Sequence, residues 1–197
     1  MLVANPKYYR IAEAVTDLPR FGWDTEIRLK NRARRKRKYA KQVQPGDTAY
    51  VWQTGEAAGV IARGTIQSGL VPITTPPEEE LYVVDRVRYP YGYRYEGIWF
   101  DVDEVLPSCL LEKELVARHP EFSHMEVTKF RNQTVSKVQP NEAHALAELF
   151  DEHLRWSPSG TVDFDPETLL DTRARATMNA IVKRRPTGVS EASARRV

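Results

Sequence analysis

Apolar residues recur along this chain with two different periods, and the change of period marks out its elements. Leu2–Ala4 is a short apolar run that stops at Asn5-Pro6, which predicts an opening strand. From Tyr9 to Leu18, Ile11, Ala14, Val15 and Leu18 fall at helical spacing, and Pro19 and Gly22 close the pattern. Trp23 then stands in what reads as a polar loop. After the turn signal Pro45-Gly46-Asp47, Thr48–Gln53 alternates, with Ala49 and Val51 on one side and Tyr50 and Trp52 on the other. Thr54-Gly55-Glu56 reads as a hairpin tip, and Ala58–Ser68 as the returning strand, with Gly59 and Gly64 allowing close backbone approach.

The middle of the chain is less regular. Pro72 to Glu80 reads as a loop rich in proline, threonine and acid, with Glu78-Glu79-Glu80 as its solvated end. Leu81–Tyr89 is expected to be a strand with Tyr82, Val84 and Val87 in the core, followed by an aromatic turn at Pro90-Tyr91-Gly92-Tyr93. Gly97–Val102 is expected to be a further strand, with Trp99 in the core, and Val105–Ala117 to be partly helical. Pro140 opens a helix through Leu154 whose apolar face is Ala143, Leu146, Ala147, Leu149 and Phe150. Ser157-Pro158-Ser159-Gly160 marks a boundary; Asp165-Pro166 would cap a last helix to about Val182, and the polar end from Arg184 is expected to be disordered. This order of elements predicts an α+β domain with a mostly antiparallel, barrel-like sheet.

Composition changes this picture in two ways. Net charge is only +2, yet nine of the 29 basic residues lie between Arg28 and Lys41 with no acid among them. The remaining 20 face 27 acids, so the rest of the chain stands at −7. A basic block on an acidic body is the footprint of a polyanion contact. The single cysteine, Cys109, lies among Leu106, Leu110 and Leu111, which suits burial and excludes an internal disulfide or a cysteine zinc site. No apolar run approaches the ~18–20 residues that span a bilayer, and the N-terminal residues do not read as a signal peptide, so a cytoplasmic protein is expected.

Catalytic patterns are not found. His119, His124, His144 and His153 have no metal-ligand spacing, GVIARG lacks the lysine of a phosphate loop, and no serine sits in a G-x-S-x-G elbow. No cofactor and no metal are expected, and the chain is not expected to be an enzyme. What remains is aromatic and basic. Tyr8, Tyr9 and Asn5 sit at the first strand–helix junction, Trp52 ends a strand, and composition leaves Trp23 open between a core residue and a cage wall. An extruded base is held by stacking between aromatic faces and by hydrogen bonds to its edge.

Several stretches together resemble one family. ANPKYYRIAEAV, FGWDTE, VQPGDTAYVWQTGEAAGVIARGTI and FRNQTVSKVQPNEAHALAELF look like an EVE domain, a PUA-like module related to the YTH readers of methylated adenine. PGD-x-x-Y-V-W-Q-[ST]-G-x-x-x-G-[VI] is its most specific part, and the resemblance covers about residues 1–156. It implies a small PUA-like β-barrel with flanking helices and a pocket for one modified base. Asn5, Tyr9, Trp23, Trp52, Gln53 and Thr54 would line that pocket. Arg34, Arg35, Lys36, Arg37, Lys38 and Lys41, with Arg131, Asn132 and Gln133 in the segment Phe130–Thr134, would meet the nucleic-acid backbone.

FDPETLLDTRARATMNAIVKRR is similar to the lead-in of an HNH nuclease domain in modification-dependent restriction endonucleases, although no HNH core histidines or zinc cysteines follow it. Residues 157–185 would then be a linker and helical extension, and 186–197 a disordered tail. The implied partner is double-stranded DNA carrying a modified base, 5-methylcytosine or a related cytosine first and N6-methyladenine second, with a nuclease domain in a longer product. The rival expectations are an RNA-binding PUA-like reader and a protein-interaction domain. Oligomeric state is not legible.

Overall fold

The computed structural model describes residues 1–25, 39–106, 111–122, 124–129 and 135–156. Met1–Pro158 forms one compact unit, and the fold below is that of this unit. The basic run from Arg28 to Lys38, Cys109, Arg131–Gln133 and everything from 157 onward lie outside the described residues.

Seven strands make one sheet. Its main path runs β1 (Leu2–Ala4), β3 (Thr48–Gln53), β4 (Gly59–Ile66), β6 (Arg94–Val105), β2 (Arg20–Asp24). β5 (Val71–Thr74) pairs with the start of β6, and β7 (Leu111–Glu112) with the start of β4. Only β1 and β3 run parallel; the other pairs are antiparallel. The first and last strands of the path contribute to one interior: Leu2 of β1 and Phe21 and Trp23 of β2 share a buried cluster with Ile11, Val51, Ile61, Ile98 and Phe100. The sheet therefore curls until its ends enclose the same core, as a small barrel requires.

β3 shows why the sheet is sequence-determined. Ala49 and Val51 point into the barrel, while Tyr50 and Trp52 point to an outer layer containing Val116, Phe122, Met125, Leu146 and Phe150. Both faces of the strand are buried because helices cover the outside: α3 (Lys113–Arg118), α4 (Glu126–Lys129) and above all α5 (Pro140–Trp156). α5 starts where its sequence dictates. Pro140 takes the first helical position, and Glu142 accepts a hydrogen bond from the Gln139 backbone N–H at 2.7 Å. Gly64 marks the closest strand approach. A Cβ there would collide with the Asp101 carbonyl and the Phe100 ring.

The fold is thus the expected α+β, PUA-like one, with corrections in detail. The first helix, α1, is shorter than predicted, at Ile11–Asp17, and Tyr9 instead bridges to Val83. Trp23 is not in a loop. It lies on β2, where Phe21 and Trp23 alternate inward and are buried, as is Thr25 just beyond the strand. The Pro72–Glu80 stretch is not a loop either: it forms β5 and the single turn α2 (Pro77–Glu80). Glu79 and Glu80 are not solvated but buried.

Leu81–Tyr89 is not a strand, because Asp85 turns the chain by accepting the backbone N–H groups of Val87 and Arg88. Of its three expected core residues only Tyr82 is buried. The strand expected at Gly97–Val102 is longer, Arg94–Val105. Trp99 is half-buried against a satellite cluster of Ile73, Tyr93 and Tyr95.

Candidate functional site

The expected pocket residues divide between the two sides of the sheet. Asn5, Tyr9, Gln53 and Thr54 come together at the end of β1 and β3, where Ala4 pairs with Gln53 and the Thr54 N–H donates to the Ala4 carbonyl at 2.9 Å. The Asn5 side chain accepts from Lys7 N, and its carbonyl accepts from Tyr8 N and Tyr9 N. This Asx-type turn swings the chain from β1 into α1 and leaves Tyr9 against the barrel interior that also holds Trp23. The Gln53 side chain donates to the Ala57 carbonyl across the hairpin. Trp52 is not part of this group. It points to the helix-covered face and is only 2% exposed. Trp23 and Trp52 lie in different buried clusters, on the two sides of the sheet. Lys41 is exposed in the short 3₁₀ turn Ala40–Gln42.

Beside Tyr9 the structure adds residues that the sequence reading assigned elsewhere. β2 pairs with β6 through Gly22 and Trp99, and the Gly22 N–H donates to Glu79 Oε1 at 2.7 Å. Gly22 also has no room for a side chain, because the Tyr95 hydroxyl and Ile73 lie where its Cβ would be. Glu79 is only 3% exposed. Burial pushes its carboxyl up to about 8, against the opposing effect of the Gly22 N–H and with help from the neighbouring Glu78 and Glu80 charges. The acid form therefore dominates at neutral pH.

Tyr9 and Tyr95 are both held above the usual phenol range, first by burial and then by the Glu79 charge. The three groups thus sense one another, yet they do not bond. The Tyr9 hydroxyl is buried without a hydrogen-bond partner, and the Glu79 carboxyl is held by the Gly22 N–H. An unsatisfied buried group costs about 1–3 kcal/mol, so the unpartnered Tyr9 hydroxyl calls for an explanation.

The flank of this site is aromatic and cationic. The Arg86 guanidinium lies 4.1 Å from the centroid of the Tyr91 ring, and that of Arg88 lies 4.3 Å from the Tyr8 ring centroid. Tyr93 and Tyr95 stack at 5.4 Å with their planes 19° apart. Elsewhere, at β3 and β4, lies an open groove of about 510 Å³ lined by Thr48, Tyr50, Arg63, Asp103, Glu104 and Ala147. Arg63 is committed there to Glu104 and Asp151, so the groove offers a polyanion no net positive charge. Among the described residues, no three His, Cys, Asp or Glu side chains are grouped to hold a metal ion, and no helix is long and apolar enough to cross a membrane.

A curled, mostly antiparallel sheet with a helix layer outside is consistent with a PUA-like fold. Comparison with solved structures agrees. The chain is similar to a protein from Pseudomonas putida (TM-score 0.52, 14% identity, 76% of this chain and 97% of that one). It is similar to a Pseudomonas syringae protein (TM-score 0.51, 12% identity, 75% and 96%). It is also similar to human THYN1, solved in complex with 5-methylcytosine-containing DNA (TM-score 0.51, 10% identity, 75% and 94%). No protein-family model and no curated protein sequence matches the chain.

Proposed function

We propose that this protein is a reader of DNA carrying a modified base, and that the base is extruded into the site formed by Tyr9, Glu79 and Tyr95, with Asn5 and Trp23 alongside. One observation carries the reading: the buried Glu79 carboxyl, fixed by the Gly22 N–H through one oxygen, lies within electrostatic reach of the Tyr9 hydroxyl, which is buried without a partner. A neutral carboxyl offers one donor beside one acceptor. The base edges of cytosine and adenine offer the complement, an amino group next to a ring nitrogen. Methylation adds apolar surface that an aromatic surround can favour by ~1 kcal/mol.

The ranking of 5-methylcytosine and related cytosines before N6-methyladenine is supported by a fold neighbour solved on DNA containing 5-methylcytosine. The basic residues Arg34–Lys38, with Lys41 and Arg131–Gln133, would supply sequence-independent phosphate contacts. The reader would serve a restriction nuclease carried by a longer product, as the resemblance of the segment after Thr161 to an HNH lead-in implies. Recognition, not catalysis, is then the task of residues 1–156.

The test is a panel of duplexes, each with one modified base, run against wild type, Glu79→Gln and Glu79→Ala. The amide keeps a donor beside an acceptor, so Glu79→Gln should bind the preferred duplex within a few-fold of wild type. Glu79→Ala should lose the preference. No preference for any modified duplex in the wild type would sink the reader reading. Tighter binding to matched RNA would move it to RNA.

A further inference from the structure

The segment after α2 contains a side chain that folding does not account for. Val87 is 97% exposed, at the apex of a loop whose backbone is otherwise pinned. Val84 N donates to the Tyr8 carbonyl at 2.9 Å. Asp85 accepts from Val87 N at 3.2 Å and from Arg88 N at 3.0 Å with its side chain, and from Tyr89 N at 2.9 Å with its carbonyl. Arg86 binds both the side chain and the carbonyl of Glu80, and Gly92 N donates to Glu80 Oε1 at 2.8 Å. The loop is therefore braced at both ends, and it holds an apolar residue out in water.

Two further facts identify what this apex suits. Arginines stand on either side of Val87, each guanidinium lying over a tyrosine ring, Arg86 on Tyr91 and Arg88 on Tyr8. The loop's anchors are the immediate neighbours of the proposed base site: Tyr8 precedes Tyr9, and Glu80 follows Glu79. An apolar tip between cations, fixed beside a site for an extruded base, matches the gap that extrusion leaves in a double helix. Proteins that unstack bases commonly fill the opened step with an apolar wedge, and the contact offsets part of the few kcal/mol that unstacking costs.

We propose that the Asp85–Tyr89 loop is such a wedge, with Val87 entering the duplex where the base has left. This inference rests on the reader function proposed above. It makes a distinction that a general DNA-binding surface would not: a single strand has no stack to hold open, so the wedge matters only on a duplex.

Val87→Gly and Val87→Leu test it, since a residue this exposed can change with little effect on folding. Dissociation constants are measured for a duplex with one modified base, the plain duplex, and the modified strand alone. Val87→Gly should weaken modified-duplex binding roughly tenfold while leaving the single strand within about twofold, and Val87→Leu should keep duplex affinity. A 2-aminopurine next to the modified base should brighten on binding to wild type and less so with Val87→Gly.

Unchanged duplex affinity in Val87→Gly, or an equal loss on single strand and duplex, overturns the wedge. If wild type prefers the modified duplex in that case, the reader function stands without it. If wild type shows no preference but Val87→Gly still weakens only duplex binding, the wedge stands and the base site falls.

Discussion

Trp23 and Trp52 are almost equally buried, at 6% and 2% exposure, and they lie on opposite sides of the same curled sheet. Their surroundings differ in kind. Trp52 packs among Tyr50, Val60, Leu111, Val116, Met125 and Phe150, a layer closed by α5. Trp23 packs with Phe21, its ring centroid 5.9 Å away, in a cluster that also takes in Tyr9 with its unbonded hydroxyl. The residue next to it, Gly22, holds the buried Glu79. Burial alone therefore does not mark a ligand site. What sets Trp23 apart is its place in a cluster packed against Tyr9, whose buried hydroxyl has no partner.

Substitutions can break this contrast, beginning with the largest effect on the fold. Trp52→Ala should cost about 3–5 kcal/mol in denaturant unfolding, as for other large aromatics cut from a core. It should leave the ratio of modified to plain DNA affinity unchanged. Trp23→Ala should cost less, because the Tyr9 hydroxyl can hold a water in the space left behind. At a temperature where the variant stays folded, it should abolish the preference for modified DNA while salt-sensitive binding persists. Equal loss on both DNAs would argue against a cage role.

Glu79 gives a smaller effect, with a definite sign. Its carboxyl sits near 8 in the folded protein against 4.5 in the unfolded chain, so the folded state holds the proton more tightly. That contribution is fully present below about 4.5 and is lost as pH rises to about 8. The buried Met1 amine, pushed down to about 5 by desolvation, acts in the opposite sense over much the same window. The measurement is therefore the difference in melting temperature between wild type and Glu79→Gln across pH 5 to 8. The wild type should lose ground as pH rises, and a flat difference would mean that Glu79 is not held in its acid form. Least costly to the fold is neutralisation of Arg34–Lys38. It should weaken modified and plain DNA alike and flatten the salt dependence. An unchanged slope would remove that run from the contact surface.

The sequence makes the regular half of the fold legible for a physical reason. Residues of β3 alternate between two buried layers, and α5 combines a proline start, a capping glutamate and an apolar stripe, so period and end signals agree. β2 was hidden because Pro19 and Gly22 read as breakers, although Phe21, Trp23 and Thr25 carry a period of two. The opposite error arose at Leu81–Tyr89, where Tyr82, Val84 and Val87 suggest a core face that the Asp85 turn never forms. Glu79 had no local signal at all. A carboxyl in a run of three glutamates reads as solvated, and only the edge of β2, 57 residues earlier, shows why one of them is buried. The resemblance points to Asn5, Tyr9 and Trp23, whereas Glu79 and Tyr95 of the proposed site lie in segments with no family pattern to read.

The long strand β6 serves several partners in succession along its length. Arg94–Gly97 pairs with β5, Gly97–Asp101 with β2, and Phe100–Val105 with β4, so the middle of the strand has neighbours on two sides and its ends do not. Amide hydrogens near Phe100 should therefore exchange with solvent only when the whole domain opens. Those towards Tyr95 can exchange when β5 alone peels away. A single strand would then report local opening beside the proposed base site at one end and global unfolding at its centre.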